Sequence, residues 1–134
     1  MKCKLVDVFA KEKLSGNGLT IFYDYDSLDK SQMLSLTQEM RQFESIFVQE
    51  HECEFSVRAK IFTIEEELDF AGHPIIGLAA HLHEESGDLK PREWKIEIFL
   101  SKVILCFKFL PKPIPGSNQT LDEGIFIFSN CLIF

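Results

Sequence analysis

The stretch from Pro74 to Glu84 constrains this chain more than any other. Ile75, Ile76, Leu78, Ala79, Ala80 and Leu82 make it a helix that is apolar almost all round. Such a helix has no face to offer to water and is normally buried. Pro74 suits its first turn, where the missing N–H costs nothing. A buried helix needs something around it, and most of the remaining chain reads as strand. Cys3 to Phe9 is rich in Val and Leu, and Leu19 to Tyr23 and Ser45 to Gln49 are similar short apolar runs. Phe55, Val57, Ala59 and Ile61 alternate with Ser56, Arg58 and Lys60, the period of a half-buried strand. Leu68 to Ala71 is a shorter extended piece, and Trp94 to Leu100 and Val103 to Leu110 look like two strands meeting at a tight turn. A second helix is expected around Asp29 to Gln42, where Met33, Leu36 and Met40 share one face. The order is therefore roughly β-β-α-β-β-α-β-β. It predicts an α+β domain in which a curved, mostly antiparallel sheet or barrel wraps one buried helix.

At 134 residues the chain is one domain's worth of protein. Its 46% hydrophobic and 26% charged residues fit a globular chain, and the 13 Phe favour strands. A formal charge of -7 with no basic stripe argues against nucleic acid, whose phosphates would be repelled. No basic amphipathic helix suggests a membrane surface, and no segment has the apolar length of a transmembrane helix. The run from Met1 to Ala10 is short, cut by Asp7 and followed by Lys11, Glu12 and Lys13, unlike a signal peptide. Cys3, Cys53, Cys106 and Cys131 show no paired spacing, so neither a zinc site nor a redox motif is indicated. Scattered thiols of this kind fit a reducing cytoplasm. A small molecule or another protein is the expected partner.

After Leu110 the character changes. Lys112 to Gln119 holds Pro113, Pro115, Gly116 and Asn118, a loop signal. Ile125 to Phe134 carries no charged residue and would make a sticky edge strand. The expectation is a domain over 1–110 and an incomplete loop and apolar tail over 111–134.

Three residues stand out chemically. Glu44 is flanked by Phe43, Ile46 and Phe47, so its carboxylate is expected to be partly desolvated, as a proton shuttle requires. His73 lies in a Gly72-His73-Pro74 turn, where the N–H groups of a helix start could hold a carboxylate. Asn17 sits between Gly16 and Gly18 in a turn where two glycines can take positive φ. Each also has an ordinary reading: a surface carboxylate at a helix end, a turn histidine bonded to backbone, a turn-forming Asn. His81 and His83 are two apart on a helix and cannot easily share a metal, while His51 and Cys53 are isolated. Glu65-Glu66-Glu67 reads as a solvated turn.

Three motifs in one order tip the balance. Val6 to Phe9, reading VDVF and followed by Gly16-Asn17, resembles the opening strand and turn of PhzF-like phenazine-biosynthesis isomerases. Gln32-Met33 through Glu39-Met40 to Glu44 and Phe47-Val48 is similar to their helix and following strand. Arg58 to Gly77, RAKIFTIEEELDFAGHPIIG, resembles their most specific signature. Together the motifs cover about Cys3 to Leu110.

The resemblance implies a diaminopimelate-epimerase-like fold and an isomerase working without metal or coenzyme. It implies that Glu44 shuttles a proton on a small carboxylate-bearing substrate, with Asn17, Gly72 and His73 binding that substrate. Two positions depart from the pattern: Gly18 stands where Pro commonly follows the Gly-Asn turn, and Phe43 stands where a small Ser precedes the glutamate. Ala71 occupies the place of a catalytic Cys in related amino-acid epimerases, which disfavours a two-cysteine mechanism. Full-length relatives add a second domain with an acidic motif that completes the pocket, and nothing in this chain matches that motif. The chain alone is therefore expected to have little or no activity, and its exposed inter-domain face is expected to support a homodimer. The rival expectation is a non-catalytic half-domain or protein-interaction module.

Overall fold

The computed structural model describes residues 1–87 and 92–109, together with the backbone of Ile127–Phe128. Its strands are β1 (Lys2–Val8), β2 (Asn17–Tyr23), β3 (Glu44–Glu50), β4 (Ser56–Thr63), β5 (Glu67–Leu68), β6 (Arg92–Ile98), β7 (Ile104–Phe109) and β8 (Ile127–Phe128). Two helices, α1 (Lys30–Met40) and α2 (Gly72–Ser86), interrupt them. They form one open mixed sheet in the order β1-β2-β3-β4-β6-β7-β8, with β5 pairing to β4 beside that path. The β2–β3 and β4–β6 pairs are parallel and the others antiparallel.

Each face of the sheet buries one helix. On one face α2 lies over Leu19, Ile21, Ile46, Val48, Ala59, Ile61, Ile96 and Ile98, contributing Ile75, Leu78 and Ala79 to the same cluster. It touches β1, β2, β3 and β6. In a flat sheet β1 and β6 would stand roughly 19 Å apart, four strand spacings. A helix is only about 10–12 Å across, so contact with both requires the sheet to curve round it. As the sequence implied, α2 is sheltered: Pro74, Ile75, Gly77, Leu78, Ala79 and His81 are buried, and full exposure begins only at Glu84. The helix starts two residues before Pro74, at Gly72. Gly77 permits the close approach, since a Cβ there would stand 2.6 Å from Val8 Cγ2 and 2.8 Å from Leu19 Cδ2.

On the other face α1 covers a smaller aromatic cluster of Phe22, Tyr25, Met33, Phe47 and Phe62. Phe22 and Phe47 stack at 4.7 Å, and Phe62 meets Phe47 edge-on. A capping box starts α1: Asp29 Oδ1 accepts from the Gln32 N–H, and Gln32 Oε1 accepts from the Asp29 N–H. Arg41, in the left-handed region at φ 53, ends it.

Two turn readings need correction. The connection between β1 and β2 takes its left-handed residues at Phe9 and Leu14, not at Gly16 or Gly18, and Asn17 and Gly18 already belong to β2. Gly16 is there for space: a Cβ would lie 2.3 Å from the Val8 carbonyl oxygen. The acidic run is only partly a solvated turn. Glu65 and Glu66 donate their N–H groups to Thr63 Oγ1 and point outward, but Glu67 enters β5 and pairs with Lys30 at 3.1 Å, its side chain 7% exposed. The loop over 112–119 and most of the tail over 125–134 lie outside the described residues; within the tail, Ile127–Phe128 pair antiparallel with β7.

Candidate active site

The helix–turn–strand passage from α1 into β3 sets the position of Glu44. Arg41 reverses the chain, and β3 begins three residues later, with Glu44 beside Leu19 of the parallel β2. Side chains alternate along a strand. Ile46 and Val48 enter the core under α2 while Phe47 enters the aromatic cluster under α1. Glu44 therefore faces α2, one step beyond the last core residue.

The first turn of α2 arrives at the same place. His73 Nδ1 lies against Glu44 Oε2, with only 13% and 18% of the two side chains exposed. The other ring nitrogen, Nε2, is buried and has no hydrogen-bond partner among the described residues. A buried polar atom left this way is uncommon in proteins. The N-cap residue, Ala71, supplies no side-chain acceptor to the first turn. Gly72 has nothing within 4 Å of where a Cβ would stand, so open space lies beside the pair.

Asn17, the first residue of β2, alternates with Leu19 and Ile21 and so lies on the α2 face. Its partner on β1 is Val8, and Leu19, two residues on, neighbours Glu44. Asn17 is exposed at the same sheet edge as the pair. The structure thus brings Glu44 and His73 into contact and sets Gly72 and Asn17 at the same edge.

Phe43 does not shelter Glu44. Its side chain turns outward and is 79% exposed, so the cover on the carboxylate comes from His73 and the body of α2. Gly18 does not loosen the turn either: it lies in β2 opposite Asp7, and the Gln42 side chain occupies the space beside it, its Oε1 1.8 Å from where a Cβ would be. Asp7 was passed over in the sequence. Its Oδ2 is buried without a partner among the described residues, and its signal was a lone acid between Val6 and Val8 in an apolar strand.

The groups whose titration is displaced lie away from this edge. His81 and Tyr23 adjoin one another at the far end of α2, with ring centroids 6.3 Å apart. Burial pushes His81 below its ordinary value against the opposing pull of Glu85, and burial with Glu85 pushes Tyr23 up to about 12. His83 stacks on Phe109 instead, so the two helix histidines serve different neighbours. An open cavity of about 460 Å³, lined by Gln38, Arg41, Gln42, Phe43 and Ile64, lies toward α1 and contains no carboxylate.

An open, mixed sheet with one helix sheltered in its curve is the fold of the PhzF-family proteins, of the diaminopimelate-epimerase-like class. A predicted epimerase from Pseudomonas aeruginosa superposes with a TM-score of 0.70 at 44% identity, over 78% of this chain and 37% of that one. A PhzF-family phenazine biosynthesis protein from Bacillus anthracis superposes at 0.66 with 25% identity, over 81% and 36%. The family model described as phenazine biosynthesis-like protein matches residues 6–104, and the chain belongs to that family. Among curated relatives, trans-2,3-dihydro-3-hydroxyanthranilate isomerase of Pseudomonas aeruginosa is 35% identical over 119 residues. That match takes in 83% of this chain but 42% of the relative, so the chain spans less than half the length of that enzyme. No helix among the described residues is long and apolar enough to cross a membrane.

Proposed function

We propose that this chain carries the proton-transferring half of a cofactor-independent isomerase active site. The contact between Glu44 and His73 at an open sheet edge carries this reading. His73 engages Glu44 Oε2, and Oε1 is the oxygen that takes a proton from a substrate carbon. The electron pair left behind shifts through the adjacent double bond, and Glu44 returns the proton to a different carbon. Atoms and charge balance without an oxidant, reductant or metal. His73 fixes the carboxylate and can take up charge as the proton moves. The substrate is a small carboxylate-bearing ring or acid. Its carboxylate is received by the N–H groups of Gly72 and His73, favoured by the helix dipole, and Asn17 offers an amide at the same edge.

Since the chain spans 42% of its isomerase relative, the remaining wall of the pocket must come from elsewhere, and the chain alone turns over little or no substrate. The experiment uses trans-2,3-dihydro-3-hydroxyanthranilate in deuterated water, with and without the C-terminal half of the Pseudomonas aeruginosa relative. Deuterium incorporation and turnover are expected only in the mixture. Glu44→Gln should reduce them by about 10²–10⁴, the usual contribution of a positioned acid–base group. Full activity of Glu44→Gln, or of the chain alone at the rate of the intact relative, would refute the assignment. The exposed apolar side chains at this edge favour a second reading, an interaction module with no chemistry. In that case the mixture associates but leaves the substrate unchanged.

A further inference from the structure

Glu44 and His73 reach their meeting point on chain segments that α1 holds. At the C-terminal end of the helix Arg41 reverses the chain into β3, so the helix end sets where Glu44 begins. Along its length α1 also grips the β4–β5 turn. Gln38 Nε2 donates to the Ile64 carbonyl oxygen at 2.8 Å, and Lys30 Nζ reaches Glu67 Oε2 at 3.1 Å. That turn starts at Thr63, the ladder neighbour of Glu44 on β4. The Thr63 hydroxyl oxygen accepts the N–H groups of Glu65 and Glu66, and the Thr63 N–H donates to the Glu66 carbonyl oxygen. From there the chain runs through β5 to Gly72 and His73, with only Asp69, Phe70 and Ala71 between β5 and α2.

In β5 only Glu67 and Leu68 pair with β4, opposite Phe62 and Ile61. So short a strand is weakly held by its backbone, and its side chains decide where it lies. They point to opposite faces. Leu68 packs against the cluster under α2, and Glu67 turns toward α1. The Glu67 side chain is 7% exposed, whereas Glu65 and Glu66 beside it are solvated. Its Oε1 is buried with no hydrogen-bond partner among the described residues. Burial, then Asp26 and Glu67, opposed by Arg58, push nearby Tyr25 up to about 12. A carboxylate kept this dry is a poor source of stability, and the best-attested use of a buried ion pair is to select one arrangement of the chain.

We propose that Glu67 is a positioning residue for the site: through Lys30 it ties β5 to α1, and so holds His73 against the Glu44 that α1 itself delivers. Glu67 touches no substrate and acts only through His73. The inference deepens the reading of the Glu44–His73 pair and rests on it.

The test follows the ring nitrogens of His73 by NMR in the full chain, at a pH where the ring is neutral. A carboxylate at Nδ1 keeps the ring proton there, whereas a released histidine exchanges between its two tautomers. The unaltered chain is expected to show the Nδ1–H tautomer alone. Glu67→Gln, and Lys30→Met on the exposed side of the pair, should each admit the other tautomer to about a tenth of the population or more. Lys30→Arg keeps the pair and should leave the ring as it was. Ile96→Val removes a buried methyl from β6 and lowers stability without touching this frame, so it too should leave the ring unchanged. Circular dichroism checks folding, and Lys30→Met decides the matter if Glu67→Gln does not fold. A single tautomer in the variants that break the pair overturns the proposal and leaves the Glu44–His73 reading standing. A ring disturbed equally by Ile96→Val also overturns it, reducing Glu67 to a stabilising residue. Both tautomers in the unaltered chain would overturn the contact itself, and the proposal with it.

Discussion

The packing of α2 on β1 and β2 can be tested by two identical substitutions in one helix. Gly72 and Gly77 both lie in α2, and in a helix alanine is favoured over glycine by about 1 kcal/mol. At Gly72 the added methyl meets nothing within 4 Å. At Gly77 it would stand 2.6 Å from Val8 Cγ2 and 2.8 Å from Leu19 Cδ2. Carbon atoms in contact prefer about 3.5–4 Å, so roughly an ångström must be recovered by movement. Leu19 is 0% exposed and Val8 5%, and Val8 is β-branched with little rotamer freedom. Overpacking of this kind costs about 1–3 kcal/mol, which outweighs the gain in propensity. Gly77→Ala should therefore be destabilised by about 0–2 kcal/mol and Gly72→Ala stabilised by about 0–1 kcal/mol, a gap of about 1–3 kcal/mol. Urea unfolding followed by circular dichroism, extrapolated linearly to water, measures the gap. A Gly77→Ala variant as stable as Gly72→Ala would mean that α2 is not seated on these two strands as described.

Two further expectations concern stability. Burial holds His81 below its ordinary value of 6.5, and burial followed by Arg92 does the same for His83. Both then bind protons more readily when unfolded, so stability is full above about pH 6.5 and falls as the pH drops through and below that value. Facing His81 are Tyr23 of β2, Glu84 and Glu85 of its own helix, and Lys4 of β1; His81→Leu should flatten unfolding free energy between pH 7 and 5, and an unchanged slope would remove His81 as its source. Asp29→Ala breaks the capping box of α1 and should cost about 0.5–2 kcal/mol in the same urea assay, an unchanged midpoint arguing that the box contributes nothing.

Sequence periodicity carried much of the architecture because it records which side of an element is buried. Val57, Ala59 and Ile61 alternate inward as their spacing implied, and Pro74 to Leu82 lies in the curve of the sheet because no side of it is polar. Asp29 followed by Gln32 marks the start of α1 in the sequence as it does in space. The order of three motifs, over about Cys3 to Leu110, pointed to the family whose model matches residues 6–104. These signals are local, or preserved as local strings, and survive being read one segment at a time.

What the sequence left open depends on which segments become neighbours. Nothing in the β2 and β3 strings says that they pair in parallel, yet that register puts Leu19 beside Glu44 and sets Asn17 at its edge. The contact between Glu44 and His73 joins two elements across β4 and β5, and only the seating of α2 on the sheet closes it. Local expectation also failed where a distant group decided the outcome. Phe43 turned outward although it is apolar, lining the cavity beside Arg41 and Gln42 rather than entering either core. Glu67 left its acidic run because Lys30, on α1, was within reach. Phe9 and Leu14 took the left-handed conformations that the glycines were expected to supply, since Gly16 and Gly18 were needed where the chain passes closest to Val8 and Gln42. The sequence alone determined the segments and which of their faces are buried. Register, close approach and the meeting of Glu44 with His73 belong to the tertiary structure, because they are set by groups far apart along the chain.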